Sequence, residues 1–281
     1  MRVLVVGGGI SGLAYAHALK RMSPSVSVTL CEARECGGWI RTRTDLFGEE
    51  HADAAMEMGP RALRPQGEPF LAMLGHLGLV GETVLMPVAQ TPRFYVPKQE
   101  AFGFFDMMQM GTRVLLKLAR ARLMDQQSEA LIVSEDETVA DWCARVFGSD
   151  RTGQQVSSLV STMLTGIFAG HAETLSMRAC LPQIMAFVDP LNAPDLSAFD
   201  AAPAGFDQFK VTPGSAAHVL QKRIKENHAR QITFKGGVER LVKSLRHSAQ
   251  VQGVEVYEHR PIESLQLGGD IRSDLGSFDH V

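Results

Sequence analysis

Val3-Leu4-Val5-Val6-Gly7-Gly8-Gly9-Ile10-Ser11-Gly12-Leu13-Ala14, read on as far as Glu32, decides the fold of this chain. Val3 to Val6 is a short uninterrupted apolar run, the pattern of a strand buried on both faces. Leu13, Ala14, Ala18 and Leu19 follow on a helix, and Ser25 to Glu32 alternates enough to be a second strand. Strand, helix and strand in that order make a parallel pair, because parallel neighbours need a crossover between them. Gly7, Gly9 and Gly12 fit G-x-G-x-x-G at the strand-to-helix turn. The first glycine permits the tight turn, the second admits a pyrophosphate against the backbone, and the third lets helix and strand approach. Ile10 and Ser11 open the helix, whose free N–H groups and partial positive charge face the phosphates. Glu32, with Ala33 beside it, ends the second strand about twenty residues on, where a carboxylate accepts from ribose hydroxyls. The competing reading is a glycine-rich turn beside an exposed glutamate. Agreement of strand, loop and carboxylate favours a bound dinucleotide.

The next stretch separates one dinucleotide from another. Ala33-Arg34-Glu35-Cys36-Gly37-Gly38-Trp39-Ile40-Arg41-Thr42 carries a second glycine pair. It resembles the double-glycine motif of the amine oxidase and phytoene desaturase group of flavoproteins, which implies FAD rather than NAD. A backbone without side chains can lie against a large dinucleotide, and Arg41 can face its phosphate or its flavin. A plain loop turn at Gly37-Gly38 and a solvated Arg41 are the alternatives.

Further along, Gly37 to Thr42 followed by Glu57-Met58-Gly59-Pro60-Arg61 resembles the eukaryotic protoporphyrinogen oxidases. The resemblance places Gly59, Pro60 and Arg61 along the flavin, with a loop salt bridge as the other reading of Arg61. Arg93-Phe94-Tyr95-Val96, Phe168-Ala169-Gly170 with Leu175-Ser176-Met177-Arg178, and Phe234-Lys235-Gly236-Gly237-Val238-Glu239-Arg240-Leu241 are similar to further family segments, in family order. Together they run from residue 3 to about 267, and Ile262 falls among the implied cofactor-binding residues. Arg93 is the implied partner of a substrate propionate, since a guanidinium holds a carboxylate through two hydrogen bonds. An ordinary strand arginine is the alternative.

The expected architecture is therefore α/β. It has an FAD-binding Rossmann-type domain in two segments, 1–90 and 231–281, and an inserted, mainly helical substrate- and membrane-associated domain over 91–230. The resemblance implies oxidation of protoporphyrinogen IX to protoporphyrin IX by molecular oxygen in haem biosynthesis. The flavin carries the chemistry, so no catalytic side chain and no metal are expected. It also implies a peripheral place on the mitochondrial inner membrane and a homodimer. Family members continue well past residue 281, so a truncated chain that holds FAD without completing its site is the rival expectation. Another amine oxidase or desaturase of the same fold is a second.

Composition is consistent with a packed domain. The chain has 281 residues, 45% hydrophobic and 21% charged, with a formal net charge of -3. That balance argues against wholesale disorder and gives no reason to expect nucleic acid. Cys31, Cys36, Cys143 and Cys180 lack metal or disulfide spacing, and the histidines are too scattered to be ligands. The N-terminus leads directly into a strand, so no cleavable leader is expected. Residues 152–170 lack charge, yet Val156, Leu159, Val160, Met163, Leu164, Ile167 and Phe168 recur as one helical face, expected to pack on protein. Arg113, Lys117, Arg120 and Arg122 among leucines form a basic amphipathic segment, either a solvated face or a contact for anionic lipid. Thr138 and Ser176 are candidate helix caps, the latter for a helix to about Phe187. Pro190, Pro194, Pro203 and Pro213 mark a connection. Order is expected to return at Ile232–Phe234, in a helix after Gly236-Gly237, and in strands at Val254–Tyr257 and Ile262–Leu267. Gly268 to Val281 reads as a polar tail without a terminal element.

Overall fold

The computed structural model describes residues 1–46, 55–87, 93–95, 100–102, 112, 116, 133–134, 137–148, 151–182, 205–266 and 271–281. In chain order the first elements are β1 (Arg2–Val6), α1 (Ile10–Met22), β2 (Ser27–Cys31), β3 (Thr42–Arg43), β4 (Met56–Glu57), α2 (Glu68–His76) and β5 (Thr83–Pro87). Then come β6 (Arg93–Tyr95), β7 (Glu100–Phe102), α3 (Val139–Phe147), α4 (Arg151–Phe168) and α5 (Met177–Cys180). The chain goes on through α6 (Ala216–Glu226), β8 (Ala229–Phe234), α7 (Glu239–Val251), β9 (Glu255–Tyr257), β10 (Leu265–Gln266), β11 (Ile271–Ser273) and β12 (Gly276–Phe278). Residues 1–90 and 197–281 group into one compact unit, and residues 91–196 into another.

In the first unit β1 and β2 pair in parallel, Val3 opposite Val28 and Val5 opposite Leu30, and β9 adds in parallel to β2. The apolar run Val3–Val5 is buried, as a two-faced strand requires. Helix α1 turns Leu13 and Ala16 onto the sheet and packs beside α7, which supplies Leu241, Val242 and Leu245. These join Leu71, Leu74, Leu220 and Ile232 in one core, each large side chain contributing about 1.5–3 kcal/mol on burial. β5 and β8 pair antiparallel, Thr83 opposite Phe234.

Three details depart from the sequence reading. Helix α6 packs on α2 and β8, so the first unit takes in residues well before 231. The strand expected over Ile262–Leu267 is reduced to Leu265–Gln266, because Ile262 turns down onto Leu4, Cys31 and Phe278. The supposed polar tail contains β11 and β12, an antiparallel pair joined at Ser273–Gly276. His280 then bridges Val3 in parallel, Leu4 N–H donating to its carbonyl at 3.0 Å. Phe278, with Leu275 packed beside it, anchors that segment on Leu4 and Cys31, and the Arg2 guanidinium sits 4.9 Å from the Phe278 ring centre.

The second unit has a small core of its own. The Thr138 hydroxyl caps α3 by accepting from Asp141 N–H, and Val139, Trp142, Cys143 and Phe147 form its buried face. Trp142 meets Phe147 edge to face at 5.8 Å. Val156 and Leu164 of α4 close the core, whereas Ile167 and Phe168 are 58% and 45% exposed. The last turn of α4 is exposed, so the expected buried face stops at Leu164. Ser176 caps α5, which ends at Cys180 rather than continuing as one helix towards Phe187; residues 183–190 lie outside the described residues. Leu175, beneath Gly170, ties the two quoted motifs of this unit together. The basic positions 113, 117, 120 and 122 also lie outside the described residues. No described helix is long and apolar enough to cross a membrane.

Candidate dinucleotide site

Gly7 N–H donates to Cys31 O at 2.8 Å, so the glycine loop starts in register with the end of β2. Gly7 has φ +101°, a left-handed conformation that favours glycine. A Cβ at Gly12 would stand 2.0 Å from Gly7 O, so the third glycine is required by the closeness of helix to turn. Gly9, by contrast, faces open space: a Cβ there meets nothing within 4 Å. Gly9 is the N-cap of α1, contributes no side-chain cap, and no acid stands in the first turn. The first N–H groups of α1, at half-buried Ile10 and exposed Ser11, therefore receive no side-chain cap.

The Glu32 carboxylate closes one side of the loop. Its Oε2 accepts from Gly8 N–H at 2.7 Å and its Oε1 from Arg34 N–H at 2.9 Å. The backbone around it is held by β9 and its extension: Glu32 N–H donates to Tyr257 O, and Arg260 N–H to Glu32 O. Ala33 is exposed at the edge.

The second glycine pair lies against the first. Gly37 N–H donates to Gly8 O at 2.9 Å, and a Cβ on Gly38 would be 3.4 Å from Gly9 Cα. Cys36 N–H donates to Glu258 Oε1 at 2.8 Å, and Glu258 is paired with Arg246. Burial, followed by the Glu258 carboxylate, pushes the Cys36 thiol up to about 12, so it stays neutral beside the loop. Trp39 is 88% exposed, and Val6 and Met58 are exposed nearby in sequence to the two loops. Arg41 bonds Glu35 through both Nη1 to Oε2 (2.9 Å) and Nη2 to its carbonyl. That exposed ion pair holds Arg41 beside the loop.

Gly59, Pro60 and Arg61 follow β4. A Cβ on Gly59 would strike Trp39 O at 1.9 Å, which explains the glycine; Pro60 and Arg61 are exposed. Ile262 sits in the small cluster with Leu4, Cys31 and Phe278. The side chain of Arg93 lies outside the described residues; its backbone pairs with Phe102 in a hairpin of the second unit.

Glu57, in the Glu57–Arg61 stretch, caps a helix. Glu57 Oε1 accepts from Val238 N–H at 2.7 Å, at the start of α7, and Oε2 accepts from the Thr42 hydroxyl at 2.8 Å. Thr42 Oγ1 in turn accepts from Glu239 N–H. An S/T-x-x-E capping box is the usual local signal; here the cap comes from 181 residues away, so no local pattern announces it.

Among the described residues no group of three or more His, Cys, Asp or Glu could hold a metal ion. An open helix N-terminus, a glycine at the point of approach and a strand-end carboxylate are instead the donor set of a dinucleotide, and they fit one.

The chain is 30% identical to human protoporphyrinogen oxidase, over 99% of its own length and 58% of the human protein's. It is also 30% identical to coproporphyrinogen III oxidase of Mycobacterium bovis, over 66% of the chain and 41% of that protein. The chain thus spans little more than half the length of the protoporphyrinogen oxidase it matches. Among solved structures, putrescine oxidase bound to putrescine superposes with a TM-score of 0.55 at 17% identity, covering 98% of this chain and 56% of that one. An oxidoreductase from Methanosarcina mazei gives 0.53 at 12% identity, covering 99% and 57%. Those likenesses show the shared fold. The flavin containing amine oxidoreductase family matches residues 10–274, from the first turn of α1 to the β11–β12 turn, and to that family this chain belongs.

Proposed function

We propose that the protein is an FAD-dependent porphyrinogen oxidase, acting on protoporphyrinogen IX with molecular oxygen. The observation that carries the cofactor is the unfilled N-terminus of α1, facing the Glu32 carboxylate across a loop with open space at Gly9. The substrate class rests on the similarity to the human protein across 99% of the chain. When bound, FAD supplies the hydride acceptor for a methylene bridge of the macrocycle, and oxygen reoxidises it.

The chain's own residues place and insulate that group. The N–H groups at Ile10 and Ser11 neutralise pyrophosphate charge, and Glu32 exchanges its Gly8 contact for ribose hydroxyls. Gly37 and Gly38 keep side chains out of the path of the cofactor, and the neutral Cys36 thiol brings no nucleophile to it. Arg93 is the proposed partner of a propionate, and the Thr91–Leu196 unit the proposed inserted substrate domain. Peripheral membrane binding, mitochondrial placement and a homodimer belong to the same proposal, by likeness to the family.

An absorption spectrum of the purified chain, with and without added FAD, followed by porphyrin fluorescence, is the test. Bound flavin with porphyrin formation supports the full proposal. Coproporphyrinogen III oxidised faster than protoporphyrinogen IX moves it to the tetracarboxylate, the reading favoured by the mycobacterial relative. Turnover of putrescine alone overturns the porphyrinogen reading. Flavin without any turnover leaves a cofactor-binding chain.

A further inference from the structure

We infer that Glu57 is a positioning residue of the dinucleotide cradle, tying the second glycine loop to the start of α7; this rests on the FAD reading above. Glu57 is half-buried, and both of its carboxylate oxygens are engaged, one by Val238 N–H and one by the Thr42 hydroxyl. Gly237, at φ +96°, packs so closely that a Cβ would stand 2.7 Å from Glu57 Oε1 and 2.3 Å from Thr42 Cγ2. The tie is therefore met from three separated stretches of chain.

Its reach extends to the cofactor loop through two strands. β3 and β4 pair Thr42 with Glu57 and Arg43 with Met56, and Met58 N–H donates to Arg41 O at 2.8 Å. Gly59, next along, lies under Trp39 O, and Gly37–Gly38 lie against Gly8–Gly9. Fixing Glu57 on α7 thus sets where the Gly37–Arg41 backbone stands relative to the open end of α1. Glu57 touches neither α1 nor the space at Gly9; it acts through the loop.

The experiment uses the full chain, with two readouts: amide hydrogen exchange of the chain without cofactor, and FAD titration followed by the flavin's visible band and fluorescence. Glu57→Ala is expected to raise exchange at Ile40 and Met58 by about tenfold, as loss of a charged hydrogen bond would, with the middle of α1 unchanged. It is also expected to weaken FAD by about tenfold and alter the shape of the bound flavin's band. Glu57→Gln, which keeps an acceptor for Val238 N–H, should restore the wild-type spectrum. Gly237→Ala should reproduce the Glu57→Ala spectrum, whereas Lys243→Ala, which removes only an exposed ion pair on α7, should not. If Glu57→Ala fails to fold, Thr42→Val removes half of the tie and is read in the same way. Unchanged exchange at Ile40 and Met58 overturns the inference. So does an unchanged flavin spectrum and affinity. If the wild-type chain takes up no FAD, the functional reading fails, while the exchange data still decide whether Glu57 positions the loop.

Discussion

Helices α1 and α7 lie side by side, each follows a glycine-rich turn, and their N-termini are treated in opposite ways. At α7, Val238 N–H is taken by the Glu57 carboxylate, Glu239 N–H by Thr42, and Glu239 adds a charge in the first turn. At α1 there is no side-chain cap and no acid in the first turn, Glu32 reaches only Gly8 N–H before the helix, and a Cβ on Gly9 would meet nothing within 4 Å. Each start carries the same partial positive charge. The protein satisfies one internally and leaves the other for an outside anion. A glycine-rich turn before a helix therefore does not identify a phosphate site; the state of the helix's first N–H groups does.

The severest way to break the contrast is to spoil the open end sterically. Gly12→Ala puts a methyl 2.0 Å from Gly7 O and should lose bound flavin altogether. Urea unfolding should show it destabilised by about 3 kcal/mol, the upper range for overpacking. A chain of normal stability that still purifies yellow would show that the turn yields easily.

Making the open end resemble the filled one is subtler. Gly9→Asp meets no steric obstacle and brings a cap, so apoprotein stability should hold or rise by a few tenths of a kcal/mol. FAD affinity should fall by about a hundredfold, because a carboxylate now stands where a pyrophosphate must. Stability and binding moving in opposite directions is the signature; equal FAD affinity in titration would remove the phosphate assignment from α1.

The seam between the two helices titrates. His17 of α1 is fully buried, its Nδ1 against Ser248 Oγ and Gln252 Nε2 of the α7 end, and His76 lies 6.4 Å away. Burial first, then the charges of Arg21 and His76, lower its pKa from 6.5 to about 4. Between those values the unfolded chain binds a proton that the folded chain refuses, so stability falls as pH drops from about 6.5 towards 4 and levels off below. We expect a loss of about 2 kcal/mol over that window, and a flatter profile in His17→Leu, by denaturant titration at stepped pH. Identical profiles would place the sensitivity elsewhere.

Legibility in the sequence followed the range of the interaction. β1, α1, β2 and α7 were readable because apolar periodicity and glycine spacing are local, and Gly12, Glu32 and Gly37 stand where those patterns put them. Glu57 as a cap was not, since its partner is 181 residues distant and α7 carries no cap of its own. Arg41 illustrates a different limit: a cation near a phosphate loop has the same sequence signature whether its partner is a ligand or a neighbouring carboxylate such as Glu35. β11 and β12 escaped because strands of three residues, Ile271–Ser273 and Gly276–Phe278, are too short to show an alternating pattern and are held by backbone bonds and by Phe278.

The pairing of Arg2–Leu4 with Asp279 and His280 has a consequence in time. Everything that makes the glycine loop recognisable is synthesised within the first few dozen residues, yet its supports lie more than two hundred positions further on. Cys36 waits for Glu258, 222 positions on, and Arg2 for Asp279, 277 positions on. During synthesis β1 and β2 therefore emerge as a parallel pair joined by the α1 crossover, with both outer edges unpaired. Such edges invite mispairing, and contacts of this separation fold slowly. Until residues 255–280 have been made, those edges stay open to mispairing, so the order of translation bears on this fold as well as the strength of its contacts.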